Sequence, residues 1–181
     1  MIEFPIYKAF QFIEPGPVVL VSTAHKGKAN VMTLSWHMVV DFTPLIGCII
    51  GPWDWSYNAL MATKECVIAV PTVDLLEKVV DIGNCSGRDI DKFARFDLTP
   101  LPAKDVQAPL IAECLANIEC RVVDTTLTDK YGLSILEGVR AWIDPDRKER
   151  RTCHANGDGT FVVDGETIDL KERMVKWQDT L

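Results

Sequence analysis

The fold is decided by one stretch of the chain, Asn30-Val31-Met32-Thr33-Leu34-Ser35-Trp36. In an extended strand, alternate side chains point to opposite faces, so Thr33 and Ser35 share one face while Met32 and Leu34 share the other. Amide and hydroxyl groups near the start of an otherwise apolar strand can bind the polar edge of a flat heterocycle, and the methionine and tryptophan offer it apolar contact. The stretch is equally consistent with an ordinary turn that leads into a half-buried strand, with Asn30 as the turn residue.

Short apolar runs of the same kind recur along the chain. They are bounded by Gly, Pro and Asp, which is typical of strands. The predicted strands are Val18–Ser22, Val31–Val40, Leu45–Ile50, Cys66–Val70, Ala116–Asp124 and Leu133–Ile143. A further short strand is predicted between the glycine turns of Asp158–Gly165. Strict alternation of strands and helices is absent, so the pattern disfavours a doubly wound parallel sheet.

Helices are predicted at two places between the strands. Ser56 is a candidate N-cap for a helix over Tyr57–Lys64, and Thr72 for a helix over Val73–Ile82, where apolar residues recur at helical spacing. A third, shorter helix is expected to start near Asp89. Six or more short strands with inserted helices indicate a mainly β fold of the barrel type.

The composition suits one compact domain and excludes several classes of partner. The 181 residues are 48% hydrophobic, and we expect a single domain over 1–181 in which residues 166–181 form an extension or arm. A net charge of −7 disfavours nucleic acids and anionic membranes as partners. The six cysteines form no C-x-x-C pair and are expected to be buried, reduced thiols. The N-terminus resembles no signal peptide, and no apolar stretch is long enough to span a bilayer, so a cytoplasmic location is expected.

The segment Gly51–Asn58 is a candidate phosphate site. It joins a predicted strand to a predicted helix, and a helix N-terminus presents free N–H groups and a partial positive charge to an anion. Ser56, Tyr57 and Asn58 add hydroxyl and amide donors. The alternative is a plain serine cap with no ligand.

The segment Cys85–Phe93 is a second candidate for holding a phosphate. Gly87 allows the backbone to approach a ligand closely. Arg88 and Lys92 lie four residues apart, so that a helical turn would place both cations on one side. Alternatively, this is a solvated loop in which the two cations pair with neighbouring aspartates.

Other chemistries lack their sequence signatures. The three histidines, His25, His37 and His154, have no zinc-finger or H-E-x-x-H spacing, so no metal site is expected. The motifs G-x-G-x-x-G, G-x-x-x-x-G-K-[ST] and G-x-S-x-G are all missing, which disfavours Rossmann, P-loop and α/β-hydrolase sites. Metal-dependent and hydrolase chemistry are therefore disfavoured.

Taken in order, the motifs resemble the flavin reductase-like family with the FMN-binding split barrel, and within it the flavoredoxin branch. The likeness covers roughly residues 8–165 and is carried by the ordered set rather than by any single piece. The matching pieces are Asn30–Trp36, Ser56–Asn58, Gly83–Phe93 followed by Leu98–Pro100, then Pro109–Cys114 with the strand Ala116–Val123, and Gly157–Phe161.

The resemblance implies a six-stranded antiparallel split barrel that binds FMN near the interface of a homodimer. It assigns the ring to Asn30, Trp36 and Phe161, the ribityl chain to Met32 and Thr33, and the phosphate to Ser56, Asn58, Ser86, Gly87 and Lys92. Val31 and Tyr57, within the same motifs, are counted with the site. Arg88 comes from the loop pattern alone. The five tryptophans give the dimer weak further support, because aromatic residues favour interfaces.

One departure from the family bears on activity. Many NAD(P)H-dependent members carry Gly-Asp-His near the later barrel strands, and the comparable segment here, Thr128–Leu133, has no histidine. The first hypothesis remains an oxidoreductase in which NAD(P)H reduces bound FMN, which then reduces a flavin or a protein acceptor. The second is a flavoredoxin-like electron carrier, with a redox partner protein and no nicotinamide site. The third is a flavin-free binding module.

Overall fold

The computed structural model describes residues 1–41 and 43–176. Its strands are β1 Ile2–Phe4, β2 Val19–His25, β3 Lys28–Leu34, β4 His37–Asp41, β5 Leu45–Ile49, β6 Glu65–Val70, β7 Pro100–Leu101, β8 Leu110–Ile111, β9 Ala116–Asp124, β10 Leu133–Ile143, β11 Cys153–Ala155 and β12 Phe161–Val163. Its α-helices are α1 Trp55–Thr63, α2 Leu76–Gly83, α3 Lys92–Arg95 and α4 Thr128–Tyr131. Short 3₁₀ helices cover Ile6–Phe12, Val73–Leu75 and Lys171–Arg173.

One large antiparallel sheet organises the molecule. Its strands run in the order β3-β2-β6-β9-β10-β5-β4, with β1 also paired to β10. The prediction of a mainly β, antiparallel fold with inserted helices is confirmed. The described sheet has eight strands where the resemblance implied six, and its hydrogen-bonded path is open rather than closed.

The two ends of this open path are consecutive in the sequence. β3 pairs with β2 at one end, and β4 pairs with β5 at the other. Only Ser35 and Trp36 join β3 to β4, so the prediction of one strand over Val31–Val40 is wrong. The alternation changes phase at the break, because Met32 and Leu34 of β3 and Val39 of β4 all face the main core. The chain changes partner at Trp36, whose carbonyl accepts a 3.0 Å hydrogen bond from the Ile49 N–H. This break is called the split below.

Both faces of β3 are covered, which explains its alternating chemistry. Leu34 and Met32 face the main core, which also receives Leu60 of α1. Val31 faces the opposite way, into a second core formed with α2 and α3. On that same side Thr33 Oγ1 donates a 2.6 Å hydrogen bond to the Val79 carbonyl of α2. Helices thus flank β3 on both faces, while one edge of its backbone has no strand partner in the described sheet.

The helices differ from their predicted bounds mainly at the N-termini. α1 begins at Trp55, so Asp54 is the N-cap residue and Ser56 lies inside the first turn. Thr72 precedes a 3₁₀ turn, and α2 begins only at Leu76. The third helix starts at Lys92 after Asp91, whose carboxylate accepts the Ala94 N–H, rather than near Asp89. The Ser56 hydroxyl instead accepts a hydrogen bond from another segment, as described below.

The predicted strand near the C-terminus is confirmed as β12, which pairs with β11. Beyond it, residues 166–176 of the predicted arm are exposed and contain a single 3₁₀ turn, Lys171–Arg173. Residues 177–181 of that arm lie outside the described residues. No helix within 1–41 and 43–176 combines the length and hydropathy needed to cross a membrane.

Candidate functional site

Two adjoining cavities lie along the unpaired edge of β3. The first has a volume of about 210 Å³ and the second about 180 Å³. They share four lining residues, Met32, Thr33, Trp53 and Asp54. Together they reach the size of typical small-molecule sites, which begin at about 300 Å³. No strand of the described sheet pairs with this edge of β3, so its backbone N–H and C=O groups can bind a ligand in the two cavities. Buried backbone groups generally need such partners.

The first cavity is polar and is called the polar end. Asn30 Nδ2 donates a 2.8 Å hydrogen bond to Ser56 Oγ, which ties the start of β3 to the first turn of α1. Ser56 is buried, and its hydroxyl accepts this bond while donating to no described residue. The wall also includes Trp55, next to Ser56 on α1, and residues from three further segments, namely Gly83, the loop residues Cys85, Ser86 and Gly87, and Lys92.

Gly87 is required by a close approach rather than by an unusual backbone angle. A Cβ at this position would overlap the side-chain amide of Asn30 and would lie 3.0 Å from Trp55 Cδ1. The loop after α2 therefore packs its backbone directly against β3 and α1. Only glycine allows this contact, which leaves loop backbone at the cavity wall.

Lys92 places a buried positive charge at the polar end. Its side chain is 5% exposed, and its ammonium donates a 2.8 Å hydrogen bond to the Ile82 carbonyl at the end of α2. No carboxylate of the described chain lies within 4.0 Å of it, and two of its three N–H donors have no partner there. Burial lowers the pKa of Lys92, an effect opposed by the neighbouring Cys85 thiol. A buried ammonium with donors to spare suits an anionic ligand, although the helix-end carbonyl already gives it a structural role.

The second cavity lies at the split and is called the aromatic end. Beyond the shared residues it is lined by Leu34, Ser35, Trp36 and Ile49. Trp36 is 67% exposed and Trp53 is 71% exposed, so two indole rings border the opening. The Trp53 ring packs over Gly51 and lies close to Gly132, where side chains would displace it. Large flat apolar surfaces here favour an aromatic ring as ligand.

Eight of the predicted site residues line these cavities. They are Asn30, Met32, Thr33, Trp36, Ser56, Ser86, Gly87 and Lys92. Segments separated by up to 62 residues are thus brought together, and Ser56 acts as a partner of Asn30 and not as a helix cap.

The other five predicted site residues do not line either cavity. Val31 is fully buried in the second core, and Phe161 packs against the same core. Tyr57 packs on the main core, and Asn58 is exposed on α1. The prediction that Arg88 and Lys92 share one side of a helical turn is wrong. The Arg88 side chain is 68% exposed and pairs with Asp89 at 3.3 Å, because α3 begins only at Lys92.

The structure adds lining residues that the sequence did not identify. From sequence alone, Trp53 and Trp55 could be core or interface residues. The sequence did not indicate a role for Asp54. Cys85 was expected to be buried with the other cysteines, but it is half-buried in the cavity wall, while the remaining five are buried. The sequence signal for this segment is the pair of tryptophans in Trp53-Asp54-Trp55, which follows a glycine and a proline. It indicates a site only once the segment is known to lie beside β3.

No group of three His, Cys, Asp or Glu side chains among residues 1–41 and 43–176 has the arrangement of a metal site. His37, at the start of β4, is engaged differently. Its Nε2 is 2.6 Å from the Pro17 carbonyl, and its buried Nδ1 has no partner in the described chain. Burial lowers the pKa of His37 despite the opposing hydrogen bond to Pro17. The imidazole is therefore a neutral packing group beside the split.

A family model for the flavin reductase like domain matches residues 13–160, which include every lining residue of both cavities. The chain belongs to this family. The relatives of the flavin reductase-like domain found by sequence are uncharacterized. One from Archaeoglobus fulgidus is 39% identical over 111 residues, which cover 61% of this chain and 63% of that protein, so the match spans less than two thirds of its length. The protein YddH of Escherichia coli K12 is 27% identical over 182 residues, with 92% and 96% coverage.

Solved structures of flavin reductase-like proteins share the fold. The FMN-binding domain of a flavin reductases-like enzyme from Shewanella baltica OS155 has a TM-score of 0.86 at 24% identity, covering 93% of this chain and 96% of that one. Flavoredoxin of Desulfovibrio vulgaris (Miyazaki F) has a TM-score of 0.77 at 22% identity, covering 85% and 89%. The resemblance inferred from the motifs, including its flavoredoxin neighbours, is therefore confirmed at the level of family and fold.

Proposed function

We propose that this flavin reductase-like domain binds FMN, with the phosphate at the polar end and the isoalloxazine ring at the split. The observation that carries the proposal is the buried Lys92 ammonium. It has donors to spare in a cavity that continues into an aromatic one. A ligand with a dianionic phosphate at one end and a flat ring at the other matches this layout. The descriptions of the similar solved structures as FMN-binding proteins or flavoredoxins support it.

The residues present fit the parts of FMN. Lys92 and the hydroxyls of Ser56 and Ser86 are the donors for the phosphate, and the glycine at position 87 lets loop backbone approach it. Asn30 and the free edge of β3 would hold the ribityl chain and the polar edge of the ring. Indole rings border the remaining surface. Bound FMN would supply hydride and electron transfer, so the chain needs to bind, orient and shield the ring rather than provide an acid or base.

The proposed activity is that of an oxidoreductase. NAD(P)H would reduce the bound FMN, which would pass electrons to a flavin or to a protein acceptor. The exposed side of the aromatic end offers a stacking face for a nicotinamide, next to Trp36. The family match supports this activity class, and the acceptor is open.

A second candidate, an FMN electron carrier without a nicotinamide site, is favoured by one observation. The segment that carries a histidine in many reductases of the family here contains α4 and Gly132, and the Trp53 ring lies against Gly132. An indole ring therefore packs against this segment, which has no histidine to offer a nicotinamide. Such a carrier would exchange electrons with a redox partner protein.

Titration with FMN, followed by anaerobic mixing with NADH and then NADPH, tests these proposals. We expect the purified protein to retain FMN and to gain thermal stability with it, since a ligand that binds only the folded state stabilises that state. Bleaching of the flavin absorbance by either nucleotide supports the oxidoreductase. No bleaching, with normal reduction by dithionite, supports the carrier. Absence of FMN binding leaves only the flavin-free binding module.

We also propose a cytoplasmic homodimer with FMN near the interface. Three exposed tryptophans border the cavities, and the edge strand β4 exposes Met38 and Val40. Apolar surface at an unpaired sheet edge favours a partner chain. Five buried cysteines suit a reducing compartment. Light scattering after gel filtration tests the dimer, and a monomeric mass would contradict it.

A further inference from the structure

The charged side chains in the two cavities are few and unevenly placed. Among the described residues that line them, Lys92 and Asp54 alone carry a full charge. Lys92 lines only the polar end. Asp54 lines both cavities and therefore lies where the polar end meets the aromatic end. An anionic group bound at the polar end would neutralise the charge of Lys92. The negative charge of Asp54 would still have no opposite charge beside it.

Asp54 has no cationic partner in the described chain. Its carboxylate accepts a 3.0 Å hydrogen bond from the Gly51 N–H, and no Lys, Arg or His of the described chain lies within 4.0 Å of it. It precedes α1 but its side chain accepts no N–H from the helix. The side chain is half-buried, so water screens the charge less than it would at an open surface.

A fixed negative charge beside a flavin has two physical consequences. Reduction of a flavin at neutral pH adds negative charge to the ring system, and a nearby carboxylate opposes that gain. The same carboxylate repels an anionic electron partner that approaches the ring while leaving an uncharged one unaffected. Both effects follow from charge, so they survive any change that preserves the carboxylate.

We infer that Asp54 keeps the reduction potential of the bound flavin low and selects uncharged or cationic electron partners over anionic ones at the aromatic end. The inference rests on the proposed FMN site. Asp54 would be a specificity-determining residue that neither donates nor accepts a proton. The competing explanation is purely structural, since the bond from Gly51 to Asp54 closes the turn before α1.

The variant Asp54→Asn separates the two explanations because an amide oxygen still accepts the Gly51 N–H while the charge is gone. Asp89→Asn is the matched control, since it removes one carboxylate that pairs with Arg88 outside both cavities. Asp54→Glu retains the charge, and Asp54→Ser retains an acceptor without charge if the amide variant fails to fold. Redox titration of the FMN-loaded proteins with a reference dye compares their midpoint potentials without any turnover.

For Asp54→Asn we expect the midpoint potential of bound FMN to rise by about 30 mV. For a two-electron couple this equals an increase of about tenfold in the preference of the protein for reduced over oxidised FMN. Asp89→Asn and Asp54→Glu should stay within about twofold of the wild-type preference. An unchanged or lowered potential in both Asp54→Asn and Asp54→Ser would overturn the inference. Failure of the wild-type protein to bind FMN would instead overturn the proposed function, so the two failures are distinguishable.

Selection among partners is tested with dithionite-reduced, FMN-loaded protein freed of excess reductant. It is mixed with 1,4-naphthoquinone or with its 2-sulfonate. Each quinone takes two electrons and two protons, so a hydroquinone forms and the flavin is reoxidised. We expect Asp54→Asn to speed the sulfonate reaction about three- to tenfold relative to the uncharged quinone, and Asp89→Asn to leave the ratio unchanged. An equal ratio in Asp54→Asn and wild type would overturn the selective role.

Discussion

The polar end and the aromatic end of the site are built in different ways. The polar end is assembled from segments that are distant in sequence and joined by short polar contacts, such as the bond from Asn30 to Ser56. The aromatic end is a break between two consecutive strands, bordered by exposed indole rings. Packing and a buried charge constrain the first, whereas the second is open and shaped by apolar surface. Mutations at the polar end should therefore weaken FMN binding more than mutations at the aromatic end. Their effect should depend on the phosphate of the ligand.

The largest effect is expected for Gly87→Ala. The added Cβ would overlap the Asn30 amide and press on Trp55, so the loop or the amide must shift, which disturbs the bond from Asn30 to Ser56. Overpacking together with a lost hydrogen bond should weaken FMN binding by about 2–4 kcal/mol. Fluorescence titration with FMN measures this change. Gly157→Ala is not a matched control because its φ is +85°, whereas Gly165→Ala meets no atom within 4 Å and should bind normally.

Lys92→Met tests the charge at the polar end. The methionine retains most of the aliphatic stem but has no ammonium, so FMN binding should weaken by about 1–3 kcal/mol. Riboflavin, which has no phosphate, should bind wild type and variant equally. Arg88→Ala is the matched cation control and should change neither affinity, since Arg88 is exposed and paired with Asp89. An equal loss for FMN and riboflavin would show that Lys92 acts only by supporting α2.

Trp36→Leu tests the aromatic end. Loss of one indole ring should weaken FMN and riboflavin alike, by about 0.5–1.5 kcal/mol, because the ring system is common to both ligands. Calorimetric titration of both ligands gives the two affinities. A loss confined to FMN would contradict the placement of the isoalloxazine at the split.

The smallest effect concerns the pH dependence of stability near the split. Because burial lowers the pKa of His37, the folded state binds a proton less readily than the unfolded chain. Its contribution to stability is thus present above the ordinary value of 6.5 and declines as the pH falls through the lowered pKa. Urea unfolding of the wild type should show this decline between pH 7.5 and pH 5, and His37→Gln should show less of it. Identical pH profiles would remove His37 as the cause.

Much of the fold could be predicted because several strands have strong local patterns. The bounds of β9 and β10 agree with the predicted Ala116–Asp124 and Leu133–Ile143, since apolar runs between turn residues define them. The predicted strand Val31–Val40 was wrong because β3 and β4 are separate strands that pair with different neighbours, β2 and β5. Hydrophobic periodicity records which face is buried but not which strand lies alongside.

Residue types also indicated several of the residues that line the two cavities, and Arg88 shows where such local reasoning fails. Ser86, Gly87 and Lys92 line the polar end because their types suit a phosphate loop, and local sequence carries that information. Arg88 has the same chemistry, yet its side chain points to Asp89 because the helix starts four residues later. Whether a cation faces a cavity or solvent depends on a helix start that packing decides.

The sequence by itself determined the class of fold, the order of its motifs and the residue types that can hold a phosphate and a flat ring. Only the tertiary structure decided that Gly87 must be glycine, because the reason is the Asn30 side chain that reaches it from β3. It also decided that Lys92 is buried without a carboxylate, and that Asp54 stands unpaired where the two cavities meet. These properties depend on contacts between distant segments and on burial, and neither is encoded in local periodicity.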